Sequence, residues 1–255
     1  MKYIILEKEK GIAKVIFHRP EALNALCSEM INEIEVTVDE LAADDEVRVV
    51  VFTGEGKSFI SGADISEMDG RGKESILEYG SNGARIWRKI ETMKKPTISA
   101  VNGYCFGGGF ELMLATDIRV ANEKASFRFP EVSIGIVPGF NATIRLPKQI
   151  GMTKAKDLLF TGRRIFADEA MQMGIISRVF SLEEFPEEVM KLANQIADNS
   201  MSAIALVKES ITKCIELPME EAMPIEAQLM TDSFGTPDQI EGFNSFKEKR
   251  GAKFR

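Results

Sequence analysis

Histidine is almost absent from this chain, with one residue, His18, among 255. A Ser-His-Asp or Cys-His hydrolase would have to use it, and a two-histidine metal site is impossible. His18-Arg19-Pro20 ends a β-prone run, so His18 reads as structural or exposed. Cysteine is scarce as well. Cys27, Cys105 and Cys214 are far apart, odd in number and without metal or redox spacing, which points to a reducing cytoplasmic setting. Cys105 has no neighbouring base and reads as small core filler. No apolar run is long enough to span a bilayer, and the apolar stretch near the amino terminus is too short for a signal peptide, so no membrane partner is expected. Positive charge is not in excess: the net charge is −7 and the pI about 5.1. That argues against a polyanion-binding surface and hence against nucleic acid, while an anionic small ligand needs only a local cluster of Lys and Arg. If the chain is an enzyme, carboxylates and backbone amides must carry most of its chemistry.

What is present is enough apolar material, 44% of residues, to bury a sizeable core. Residues 3–6 and 12–17 are β-prone runs separated by a turn, which reads as a hairpin. Leu26, Met30, Ile34, Val38 and Leu41 recur every three or four residues and predict a helix starting from Glu21. Residues 47–52 are a continuous β-branched run, the mark of a strand covered on both faces. Residues 73–93 read as a helix whose middle is weakened by Gly80 and Gly83. Strands are expected at 97–101, 117–121 and 175–180, and helices at 143–150, 153–160 and 168–173. Beyond Leu182 only helices are expected: 185–197, 202–215, 219–234, and a last one from the N-cap Thr236 to about Arg250. An α/β core of about 180–200 residues with a helical tail is the architecture this suggests.

Residues 96–117 organise the chain. After the strand at 97–101, Asn102-Gly103 breaks it, Gly107-Gly108-Gly109 follows, and residues 110–115 read as an apolar helix with one carboxylate, Glu111. The glycines permit close approach and positive φ, and free N–H groups at a helix start suit a developing negative oxygen. From the glycines alone, a tight turn into a core helix, with Glu111 favoured only by the helix dipole, is the preferred reading. Glu131 stands before the apolar run Val-Ser-Ile-Gly-Ile-Val-Pro, a setting that raises a carboxyl pKa by desolvation.

Four blocks of the chain resemble, in order and spacing, the crotonase (enoyl-CoA hydratase/isomerase) family. They are His18-Arg-Pro-Glu-Ala-Leu-Asn-Ala-Leu, Ser61-Gly-Ala-Asp-Ile-Ser-Glu-Met, Val101-Asn-Gly-Tyr-Cys-Phe-Gly-Gly-Gly-Phe-Glu and Phe129-Pro-Glu-Val-Ser-Ile-Gly-Ile-Val-Pro-Gly. Leu159-Phe-Thr-Gly and Phe246-Lys-Glu-Lys-Arg also fit, so the similarity covers nearly the whole chain. The resemblance implies a spiral of ββα units over 1–198 and a helical carboxy-terminal region over 199–255 that builds a trimer or dimer of trimers. It implies an acyl-CoA ligand, with coenzyme A part of the substrate and no further cofactor or metal.

By the same resemblance the thioester oxygen lies between the backbone N–H groups of Ala63 and Gly108. Glu111 activates water and Glu131 is the principal proton donor. Asp64 and Ile65 beside Ala63, and Gly139, join the substrate site. Arg19 and Lys249 are the cations for coenzyme A, with Leu23, Ala25 and Phe246 as apolar contacts, and Lys249 is a candidate to serve a neighbouring subunit. The chain departs from the hydratase pattern at Phe140-Asn141-Ala142, where a small residue and two glycines are usual. Those side chains are expected to reshape the acyl end of the pocket and allow a specialised substrate, carnitine-type or ring-bearing. An enoyl-CoA isomerase and an acyl-CoA hydrolase are alternatives on the same scaffold, and a non-catalytic or RNA-binding member is one of another class. A nicotinamide dehydrogenase fits poorly, because its glycine fingerprint belongs after the first strand.

Overall fold

Residues 49–52, Val-Val-Val-Phe, are all buried in the computed structural model of the chain, which describes residues 1–254. Alternate side chains go to opposite faces of a strand. Val50 and Phe52 accordingly enter the main core, while Val49 and Val51 join a second apolar layer with Ile98, Val120, Val189 and Leu192. The sheet is therefore covered on both sides, as its β-branched run predicts.

The hairpin forms from β1 (Ile4–Glu9) and β2 (Ile12–Phe17), and α1 (Ser28–Ala43) follows. Then come β3 (Val49–Gly54), β4 (Ser58–Ile60), α2 (Ile65–Met68) and α3 (Lys73–Thr92). The next turn is β5 (Thr97–Val101), β6 (Tyr104–Phe106) and α4 (Gly108–Leu114). A third is β7 (Ile118–Asn122), β8 (Ser126–Arg128), α5 (Ala142–Ile150) and α6 (Met152–Thr161). The core closes with β9 (Ile165–Phe166), α7 (Ala167–Met173), β10 (Arg178–Phe180) and α8 (Phe185–Ala197).

Each turn places one strand in each of two sheets. The large sheet runs β1-β2-β3-β5-β7-β10 and the small one β4-β6-β8-β9. β3, β5 and β7 are mutually parallel, as are β4, β6 and β8. That is the spiral of ββα units. Helix α8 covers the outer face of the large sheet through Phe185, Val189, Leu192 and Ala193.

Three helices follow, α9 (Met201–Cys214), α10 (Met219–Ser233) and α11 (Pro237–Glu248). They bury few residues of their own; in α9 it is Lys208, whose Nζ donates to Asp117 Oδ2 at 2.7 Å and to the Lys95 carbonyl at 3.2 Å. Among the described residues no helix is long and apolar enough to cross a membrane.

The helix expected from Glu21 begins only at Ser28. Pro20–Ala22 make one 3-10 turn, and Leu23 and Asn24 take left-handed φ values of 52° and 57°. Asn24 holds that turn open, accepting from Arg19 N at 2.8 Å and donating to the Ser58 carbonyl at 2.8 Å. These side-chain bonds to backbone compete with the helix. The strand expected at 175–180 is confined to β10, because α7 ends at Gly174 in a left-handed cap and residues 175–177 are needed for the turn.

Candidate active site

The fold gathers residues of three of the four sequence blocks around one cavity of about 850 Å³, lined by Ala63, Ile65, Gly108, Glu111, Glu131 and Gly139 together with Tyr79 and Phe140; no residue of the block at 18–26 lines it. Glu111 sits in the first turn of α4, on the helix that the glycine triplet opens. Its Oε1 accepts two hydrogen bonds, from the N–H of Phe140 at 2.8 Å and of Ala142 at 2.9 Å. Glu131 begins a 3-10 turn, Glu131–Ile134, after Pro130. Its Oε2 is buried without a protein partner among the described residues.

Burial pushes both carboxyls up to about 7, and at Glu111 the nearby Glu131 adds to the rise while the two amide donors oppose it. Two carboxyls at one cavity, each poised near neutrality, can act as acid and base without a histidine. Among the described residues neither carboxylate forms an ion pair; Glu111 is held by amides and feels Arg145 only at a distance.

Gly107 makes room for this pair. Its φ of 47° with ψ of −123° is a conformation open essentially to glycine. A Cβ there would lie 2.7 Å from Glu131 Oε1. The next residue, Gly108, opens α4, so its N–H has no helical acceptor. Ala63 forms an isolated parallel bridge to Leu26 in which the flanking groups do the bonding: Leu26 N donates to Gly62 O at 2.8 Å, and Asp64 N to Leu26 O at 2.9 Å. The N–H of Ala63 itself is left for the other side. Two backbone donors thus belong to residues that line the cavity.

Of the residues expected to touch substrate, Arg19 is engaged elsewhere: its Nη1 donates to Asp64 Oδ2 at 2.7 Å and to the Ala25 carbonyl at 3.0 Å. Asp64 also caps α2, accepting from Ser66 N at 3.1 Å. Arg19 and Asp64 therefore neutralise one another beside the cavity rather than lining it. Leu23 and Ala25 lie on the segment that runs along residues 61–64, where Ser61 N donates to Leu23 O. Phe246 and Lys249, at the end of α11, do not line the cavity of their own chain, and Phe246 is 85% exposed. His18 lies outside the cavity, its Nδ1 paired with Glu55 Oε2. Cys105 is wholly buried beside Met113, and burial raises its thiol well above the usual range.

The departure at 140–142 resolves into three local facts. Phe140 turns inward, with its ring centroid 5.4 Å from Tyr79 and edge-on to Trp87 at 5.7 Å. Asn141 occupies a left-handed position, φ 79°, which asparagine tolerates nearly as glycine does. Ala142 donates its amide to Glu111. Gly83, apparently a weak point in α3, is where the Phe140 ring enters: a Cβ at Gly83 would lie 2.6 Å from ring Cδ1. Sequence reasoning missed this pairing, as it missed Tyr79, whose buried hydroxyl has no partner among the described residues.

The sequence profile described as enoyl-CoA hydratase/isomerase matches residues 7–255. The chain belongs to the enoyl-CoA hydratase/isomerase family. Relatives in this family include the short-chain-enoyl-CoA hydratase of Clostridium acetobutylicum, 40% identical over 97% of this chain and 95% of that protein. The crotonyl-CoA hydratase of Syntrophomonas wolfei is 42% identical over 98% of this chain and 97% of its own. Among solved structures, the enoyl-CoA hydratase from Bacillus anthracis superposes with a TM-score of 0.96 at 33% identity, covering 99% of this chain and 98% of that one. The family fold and the two-sheet spiral agree.

Proposed function

We infer that this chain is an enoyl-CoA hydratase, adding water across the 2,3 double bond of an enoyl-CoA thioester to give the 3-hydroxyacyl-CoA. The observation that carries the reading is the pair of buried glutamates, both raised to about 7, at one cavity that Ala63 and Gly108 also line. Addition needs a base for water and an acid for Cα, and a pair sharing one proton supplies both at neutral pH. Glu111, aimed by the Phe140 and Ala142 amides, takes a proton from water as its oxygen bonds to C3. The double-bond electrons move toward the thioester, whose oxygen becomes an enolate held by the N–H groups of Ala63 and Gly108. Glu131 then gives its proton to C2, and proton exchange within the pair or with solvent restores the starting state. Oxyanion donors of this kind lower the barrier by about 3–4 kcal/mol each. The net change is one water added, with coenzyme A part of the substrate and no further cofactor or metal.

The exposed apolar side chains of the last three helices, such as Val207, Ile211, Met230 and Phe246, support assembly as a trimer or dimer of trimers. In that assembly Phe246 and Lys249 serve a neighbouring subunit's coenzyme A. Sedimentation should return three or six times 28.3 kDa; a monomer would remove this part of the reading. A cytoplasmic setting fits three free thiols. The activity is tested with crotonyl-CoA, following loss of the conjugated thioester absorbance and identifying 3-hydroxybutyryl-CoA. Double-bond migration without hydration would instead make the protein an isomerase.

A further inference from the structure

The carboxylate of Glu111 is aimed by two amides, so its position is only as firm as the turn that bears them. That turn, residues 139–142, has a left-handed asparagine at its centre and one glycine, and the packed Phe140 ring anchors its side-chain side while leaving the carbonyl of Phe140 to be held by another group. What grips it from behind is Arg145, on the first turn of α5. Arg145 Nη1 donates to the Phe140 carbonyl at 3.0 Å, while Nε and Nη2 donate to the two oxygens of Glu91 at 3.2 and 2.9 Å. Phe140 is thus held at both ends of its backbone. Its N–H serves the carboxylate, and its carbonyl serves the guanidinium.

Glu91 stands in the last turn of α3 and also accepts from Arg88 at 2.7 Å. The fork therefore ties α3, α5 and the turn together behind the helix that carries Glu111. Arg145 is 7% exposed, and so it cannot swing out to solvent without leaving Glu91 and the carbonyl unpaired.

We propose that the Arg145–Glu91 pair is a positioning device for Glu111, fixing the Phe140–Ala142 turn whose amides aim the catalytic carboxylate. What Glu111 does rests on the hydratase reading; how it is held does not. The pair also acts through charge. The titratable and charged groups that face Glu111 are Glu131, Tyr79 and Arg145, of which Arg145 alone favours the carboxylate. Around Arg145 stand Glu91, Arg88, Asp117, Arg119, Lys148 and Glu216, which line a second cavity with it, Glu216 being paired with Lys148. Removing the guanidinium charge should raise the Glu111 titration. Removing the Glu91 charge leaves Arg145 uncompensated and should lower it. A role confined to holding the fold together predicts no such opposition.

The test uses Arg145→Gln, Arg145→Lys and Glu91→Gln in the full-length protein with ¹³C-labelled glutamate side chains. The Glu111 carboxyl resonance is assigned by its loss in Glu111→Gln. The expected result is a titration moved up in Arg145→Gln and down in Glu91→Gln, by roughly half a pH unit or more in each case. With crotonyl-CoA, Arg145→Gln should lose about 10- to 100-fold in kcat while KM changes less than about threefold. Arg145→Lys should restore the titration but not kcat, because an ammonium keeps the charge and cannot span the fork. Unchanged Glu111 titration in all three, or movement in one direction in both charge-removing variants, overturns the proposal. Should Arg145→Gln fail to fold, the downward movement in Glu91→Gln and the split result in Arg145→Lys still decide it. A wild type that hydrates no enoyl-CoA would defeat the hydratase reading and leave the titration arm to judge the positioning claim.

Discussion

Gly83→Ala should destabilise this protein although it replaces a helical glycine. In α3 the new methyl would lie 2.6 Å from Cδ1 and 2.7 Å from Cζ of Phe140, about 1 Å inside ordinary contact. The ring has nowhere to retreat. Tyr79 and Trp87 hold it with centroids at 5.4 and 5.7 Å, and its far edge lies against Gly108. Overpacking of this kind costs about 1–3 kcal/mol, while alanine's helix propensity returns up to about 1. Contacts this short belong to the upper part of that range, about 2–3 kcal/mol, so the net loss should be about 1–2 kcal/mol. Phe140→Ala alone should cost about 3–5 kcal/mol through the void it leaves. In that background the clash is gone, so Gly83→Ala should become stabilising by up to about 1 kcal/mol. The sign reversal is the diagnostic, read from urea midpoints at one fixed protein concentration because association would otherwise shift them. Stabilisation by Gly83→Ala in both backgrounds would refute the packing argument. The same opening should raise kcat/KM for a ten-carbon enoyl-CoA relative to crotonyl-CoA by about 10-fold in Phe140→Ala.

The two raised carboxyls make stability fall with rising pH. Their folded-state pKa values of about 7 lie above the ordinary 4.5, so the folded protein binds more protons between those limits and loses stability as pH climbs through the window. Glu111→Gln or Glu131→Gln should therefore raise the unfolding free energy obtained from urea titration at pH 8, by on the order of 3 kcal/mol at most, and much less at pH 5. Equal effects at both pH values would contradict the burial argument. Gly107→Ala should cut kcat by about 100-fold or more, since it forces a strained φ and drives a methyl onto Glu131; near-normal kcat would refute that geometry. Lys208→Met should cost about 2–3 kcal/mol by removing a partner of Asp117, and hydrogen exchange in α9 should accelerate more than in α3. Uniform exchange across both helices would argue against Lys208 as the anchor.

Much of the architecture was legible because it is written in side chains. The run at 47–52 declares a strand buried on both faces, though β3 starts two residues later, and the spacing at 185–197 matches α8 residue for residue. The glutamates and the glycine triplet were legible as a site through resemblance, since nothing local joins Glu111 to Glu131. Features carried by backbone groups were not. The amides of Phe140 and Ala142 reach Glu111 from 29 and 31 residues away, and no side-chain pattern announces them. Leu26 keeps helical spacing with Met30, yet it belongs to a bridge with Ala63, because Asn24 makes the left-handed turn more favourable than a longer helix. β6 and β9, of three and two residues, are too short for periodicity to register. Gly83 read as a helix defect until its partner ring was placed beside it.

The central claim is that two glutamates divide the addition of water between them. The most direct measurement is crotonyl-CoA hydration by the wild type, Glu111→Gln and Glu131→Gln at pH 7, with product identified as the 3-hydroxyacyl thioester. The account predicts rapid hydration by the wild type and losses of about 100-fold or more in both variants, whose folds stay intact. A wild type without hydratase activity, or a Glu131→Gln enzyme that hydrates as fast as its parent, would contradict it.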